Sequence, residues 1–78
     1  MVRVWIEPAR DGVARYELKV KFTTLKYGFR VEEEEEYIVN GDNVLLNRDG
    51  SLTVICQLPK RQRKETIAPS MVQSFRQI

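Results

Sequence analysis

Arg15-Tyr16-Glu17-Leu18-Lys19-Val20-Lys21-Phe22 alternates without a break, with Tyr16, Leu18, Val20 and Phe22 on one parity and Arg15, Glu17, Lys19 and Lys21 on the other. Successive side chains of a β-strand point to opposite faces, so this octet reads as a strand with one face buried and one in water. It is the clearest strand signal in the chain, and it places the protein in the mainly β class.

Working outward, turn residues separate further runs of the same period. Pro8-Ala9-Arg10-Asp11-Gly12, Asn40-Gly41-Asp42-Asn43 and Asn47-Arg48-Asp49-Gly50 are the strong turn signals, because Asn-Gly and Asp-Gly supply the positive φ that tight hairpins need. A weaker turn lies between Thr23 and Gly28. The strands are expected at about 2–7, 13–22, 29–39, 44–46 and 51–58. Near the end the period changes. Met71, Val72, Phe75 and Ile78 share a helical face, and Ser70 with Gln73 fits a capping box after Pro69. A short C-terminal helix over about 71–77 follows, docked on the sheet because so few residues cannot hold a helix alone. The expected architecture is a single domain, 1–78. It is a five-stranded antiparallel meander, curled into a small SH3-like or OB-like barrel or left as a sheet with the helix across it.

A chain of 78 residues has a thin core and little material for a supported active site. It has no histidine and a single cysteine, Cys56, so neither an internal disulfide nor a Cys/His zinc site can form within one chain. Without histidine nothing obvious activates Cys56, Ser51, Ser70 or Ser74 as a nucleophile. The parity of Leu52, Val54 and Leu58 makes Cys56 a small core hydrophobe. These points exclude most enzyme classes, and no cofactor or metal is expected. The N-terminus reads as no secretion signal and no apolar run is long enough to span a bilayer, so a cytoplasmic protein is expected. Self-association is the remaining route to extra stability, which raises the expectation of a homo-oligomer.

Two charge runs are candidates for binding. Lys60, Arg61, Arg63 and Lys64 read as a basic loop able to neutralise phosphates. Arg15, Lys19 and Lys21 would extend that surface. Trp5, on the parity of Arg3 and Glu7, would stack on a base if the first strand pairs with strand 13–22. Tyr27 and Phe29, flanking Gly28, offer a second stacking platform. This is the first functional expectation: weakly specific nucleic-acid binding. The alternative is a protein-interaction module, an adaptor, inhibitor or oligomer building block. It would use the acidic strand Glu32, Glu33, Glu34, Glu35 and Glu36, or an open sheet edge. Within that run, the parity of Val31, Tyr37 and Val39 turns Glu33 and Glu35 toward the core. Since unpaired buried carboxylates are costly, the strand is expected to be bulged, to pass beyond the core or to lie at an edge. Glu32, Glu34 and Glu36 are expected opposite Arg15, Lys19 and Lys21 as a cross-strand charge ladder.

Overall fold

The computed structural model describes residues 2–78. Among them the chain forms seven strands: β1 (Val2–Ile6), β2 (Arg15–Lys26), β3 (Phe29–Asn40), β4 (Val44–Leu46), β5 (Leu52–Leu58), β6 (Arg61–Ile67) and β7 (Val72–Gln77). They make two sheets, ordered β1-β3-β2-β7 and β4-β5-β6, and neither closes into a barrel.

The octet lies in β2 as its period demands, with Leu18 and Val20 buried. Two features make β2 longer than the octet. Thr23, Thr24 and Leu25 tolerate extended backbone, and Tyr27 and Gly28 both take positive φ, 53° and 80°. Two such residues between paired strands form the tight turn whose twist matches a hairpin. Glycine does this without strain, whereas Tyr27 must hold an unfavourable conformation. The result is a β2–β3 hairpin in unbroken register from Arg15 opposite Asn40 to Lys26 opposite Phe29.

Inner residues of both sheets meet in one core of Leu18, Val20, Tyr37, Val39, Leu52, Val54, Cys56 and Ile67. The Cys56 thiol is thus buried, and burial pushes its pKa up, away from the reactive thiolate. Gly41 allows the close approach of β2. A Cβ there would lie 2.9 Å from Tyr16 Cε2, so this glycine serves space and not positive φ.

Several expectations are corrected. The meander fails because β1 runs parallel to β3, Val2 facing Glu34 and Ile6 facing Ile38, instead of pairing with strand 13–22. The long excursion through Pro8 to Gly12 carries the chain back to start β2 beside β3. The basic run is no loop but strand β6, paired with β5 from Leu58 opposite Arg61 to Leu52 opposite Ile67. The expected helix is strand β7, preceded by a single 3-10 turn at Pro69–Met71. Val72 and Phe75 have opposite strand parity, but a register shift at Lys19/Val20 sets them opposite Val20 and Leu18, and β2 had a free edge of backbone donors and acceptors that a strand satisfies and a helix does not. Phe75 then stacks on Tyr16, ring centroids 5.3 Å apart. The acidic strand is likewise neither bulged nor at an edge. β3 is central, bonded to β2 along its whole acidic stretch and to β1 from Glu34 onward.

The surface carboxylates set an acid response. A hydrogen bond from Lys26, at 2.6 Å, holds Glu33 below the usual carboxylate range. The Ser51 hydroxyl and N–H do the same for Asp49, and the Arg10 guanidinium does so for Asp42. A depressed folded pKa means the unfolded chain binds more protons on acidification. The contribution is whole above about pH 5 and is lost as pH falls below about 4 and through the lowered values. Urea midpoints should therefore be flat from neutral pH to about 5 and drop below about 4. A midpoint that rises on acidification would contradict this assignment.

Candidate functional site

The site is a corner where the edge strand of each sheet, β1 and β6, come together. Its centre is Trp5. By the parallel register Trp5 sits opposite Tyr37, so its side chain turns inward against the core, while Val2, Val4 and Ile6 turn outward. Two guanidinium groups lie over the indole, Arg63 at 4.4 Å and Arg61 at 5.1 Å from the ring centroid. They sit there because Arg61 and Arg63 pair with Leu58 and Cys56, whose side chains face inward from β5. Each such cation–π contact contributes roughly 0.5–1 kcal/mol. The indole N–H has no acceptor among the described residues, so the ring is held by its faces.

Arg63 is the hub. Its Nε donates to the Tyr37 hydroxyl at 3.1 Å, and a terminal nitrogen lies 3.2 Å from both Glu35 oxygens. Tyr37 in turn donates its O–H to Glu35 at 2.7 Å. Glu35 is thereby a buried carboxylate with a paired charge and a hydroxyl donor, which is how a central strand accepts an inward glutamate. Burial, followed by the bond to Glu35, raises the Tyr37 pKa far above the ordinary phenol range. Burial works against the Arg63 charge, but Tyr37, Glu35 and Glu65 outweigh it and its pKa rises.

A second device fastens β1 from its far end. Glu7 is buried and accepts four hydrogen bonds, from Asn40 N and Nδ2 at 2.9 and 2.7 Å and from Asn43 Nδ2 and Gln57 N at 2.7 Å each. One carboxylate thus ties β1 to the end of β3, to the turn after it and to β5. Sequence reading passed over Glu7. Its partners lie 33 to 50 residues away, and its parity with Arg3 and Trp5, opposite Val2, Val4 and Ile6, gave no sign of burial.

With both fastenings, β1 is tied to the fold at Trp5 and at Glu7. Among the described residues it pairs only with β3. Glu7 donates its N–H to the Ile38 carbonyl at 2.8 Å. Backbone groups of alternate residues in a strand point to opposite sides, so Arg3 and Trp5 share the β3 side. Val2, Val4 and Ile6 then turn N–H and C=O to the open edge. Their side chains are 44%, 51% and 54% exposed on the outer face.

The other three edges are guarded. β6 carries Arg61, Arg63, Lys64 and Glu65, β4 has three residues, and β7 carries Gln73, Ser74, Arg76 and Gln77 against a register shift at Lys19/Val20. Charge, shortness and irregularity are the means by which proteins keep sheet edges from pairing.

The sequence-derived candidates do not gather on one surface. Trp5, Arg61 and Arg63 converge with Glu35 between the sheets. Lys60 is at the β5–β6 turn, and Lys64, opposite Ile55, is on the outer face of the second sheet. Lys19 and Lys21 lie on the outer face of the first sheet, within 3.9 Å of Glu17 and 3.2 Å of Glu32 respectively. Arg15 donates to the Glu7 carbonyl at 2.8 Å. Two rungs of the expected ladder are in register, Lys19 opposite Glu36 and Lys21 opposite Glu34, whereas Arg15 lies opposite Asn40 and Glu32 opposite Thr23. Among the described residues no cluster of three or more His, Cys, Asp or Glu is placed to hold a metal ion. Nor is any helix there long and apolar enough to cross a membrane.

Comparison with family models, with curated proteins and with solved structures gives no match.

Proposed function

We propose that this protein is a non-enzymatic interaction module that works by strand addition: an extended segment of a protein partner pairs with the open edge of β1. The observation that carries the reading is the contrast among edges. Among the described residues β1 alone combines regular geometry, no charge on its outer face and three exposed apolar side chains, whereas the other edges bear charges, irregularity or minimal length. Main-chain bonds to Val2, Val4 and Ile6 would supply affinity, and their side chains would select a partner with apolar residues at alternate positions. The Trp5–Arg63–Glu35 cluster and the Glu7 clasp would hold the edge ready, which lowers the ordering cost of binding.

Nucleic-acid binding is the second reading. Its support has moved from Trp5, whose ring lies beneath two arginines, to the hairpin tip. There Tyr27 is 99% and Phe29 74% exposed, between Lys26 and Arg30, so both rings are open for stacking.

One titration tests both. Isotope-labelled protein is mixed with excess peptide carrying valine at alternate positions, and separately with single-stranded oligonucleotides. On the first reading the peptide shifts the amides of Val2, Val4 and Ile6 and slows their hydrogen exchange. Oligonucleotide shifts centred on Tyr27 and Phe29, with β1 silent to peptide, would replace it by the second.

A further inference from the structure

Resting on the strand-addition reading, we infer that the strand which completes β1 is β1 of a second copy, paired antiparallel about a two-fold axis through Val4.

The backbone restricts the register. Because Val2, Val4 and Ile6 present the outward N–H and C=O groups, hydrogen-bonded pairs across a β1–β1 junction must join these residues to one another. One antiparallel register pairs all of them: Val2 with Ile6, Val4 with Val4 and Ile6 with Val2. Shifting by two residues in either direction leaves one end unpaired. In the full register every outward side chain meets an apolar one, so six exposed aliphatic side chains close into a single row on the outer face. On the other face Arg3 comes opposite Trp5 of the second copy, a cation beside an indole. Val2-Arg3-Val4-Trp5-Ile6 is thus complementary to itself when reversed, the property that a two-fold interface demands of one patch.

Energetics point the same way. Among the described residues the core has eight buried hydrophobic side chains, thin for an independent domain. Joining two copies at β1 makes one eight-stranded sheet and removes the edge that is not guarded. It also sets the geometry of the assembly. β1 runs parallel to β3, so reversing β1 about the axis sends the two β2–β3 hairpins in opposite directions, with Tyr27 at each far end.

The test is sedimentation equilibrium of the full chain over a wide concentration range, with three variants. Wild type should dimerise reversibly. Val4→Lys places two like charges face to face at the axis and should raise the dissociation constant roughly 100-fold or more. Val4→Pro removes an outward N–H that bonds nothing among the described residues and should also dissociate the dimer while leaving the circular dichroism of the fold intact. Val4→Cys should crosslink to itself on mild oxidation, since the Cα separation of a hydrogen-bonded pair suits a disulfide, whereas Leu25→Cys at the exposed hairpin should not. A wild-type chain that stays monomeric throughout overturns the inference. So does a dimer that survives both Val4→Lys and Val4→Pro, because its interface is elsewhere. If the chain is monomeric yet the alternating-valine peptide still protects Val2, Val4 and Ile6, strand addition stands and only the second copy fails.

Discussion

Glu7→Ala should cost about 4 kcal/mol or more of folding stability, the largest effect expected of a single substitution in this chain. The magnitude follows from the hydrogen-bond inventory. Two of the four donors that converge on Glu7 are backbone N–H groups, of Asn40 and Gln57, which cannot rotate toward water when the carboxylate is removed. The two Asn40 donors are buried and those of Asn43 and Gln57 part-buried, and a buried donor left without a partner costs about 1–3 kcal/mol. The amides of Asn40 and Asn43 lose their acceptor as well. A domain of this size holds roughly 4–12 kcal/mol in total, so the variant should be largely unfolded or close to it at room temperature. Glu7→Gln should recover little. Its one oxygen can serve one side of the clasp, and its amide N–H2 meets donors on the other. Urea unfolding followed by circular dichroism measures this, with Glu34→Ala on the exposed face as a reference expected within about 0.5 kcal/mol of wild type. A Glu7→Ala protein as stable as Glu34→Ala would show that the clasp does not hold β1.

Arg63→Ala should come next, with a loss of about 3 kcal/mol. Removing one member of a buried ion pair leaves the other charged and poorly solvated, and here the stranded member is Glu35 in the middle of a central strand. Tyr37 keeps its bond to Glu35 but loses the donor that reached its hydroxyl. Trp5 loses the nearer of its two guanidinium groups. Because Trp5 is the single tryptophan, its emission reports the local change directly and should move to longer wavelength as water reaches the ring. Arg63→Lys should rescue only part of the stability, since an ammonium cannot reach Glu35 and Tyr37 in one planar geometry. Arg61→Ala is the informative contrast. It removes the more exposed cation over Trp5, and a loss under about 1 kcal/mol is expected. Equal losses for the Arg61 and Arg63 variants would mean that the buried pair with Glu35 contributes nothing beyond the stacking.

Both changes act on the rigidity of β1, so both bear on the edge proposed to pair. If they loosen β1 without unfolding the rest, protection of Val2, Val4 and Ile6 amides should fall before that of β2.

Much of this architecture was legible in the chain itself. The two-residue period located β2, β3, β4 and β5, in the case of β4 at the residues Val44–Leu46. Parity within the glutamate run turned Glu33 and Glu35 inward, and two rungs of the charge ladder, Lys19 with Glu36 and Lys21 with Glu34, followed from the hairpin. Gly12 and Gly50 take the positive φ their turns require, 76° and 88°. These properties are local, because alternation, turn chemistry and charge along one strand are written within a few neighbouring residues.

Pairing over distance was not legible, and tertiary structure alone decided it. A strand pattern says which side chains share a face but not which strand lies alongside. β1 therefore read as the partner of the next strand and is the parallel neighbour of β3. The tail from Val72 has helical spacing, and the vacant edge of β2 made it a strand at the cost of a register shift. β6, whose charged residues mask any apolar alternation, became a strand because β5 offered it a ladder. The inward glutamate signalled a cost that had to be met, yet its partner stands 28 residues further on, on a strand the pattern hid. Backbone donors and acceptors must all be satisfied, and a buried charge must find its opposite. Both demands are settled by the whole chain at once, so the Trp5–Arg63–Glu35 corner and the open edge beside it exist only in the folded molecule.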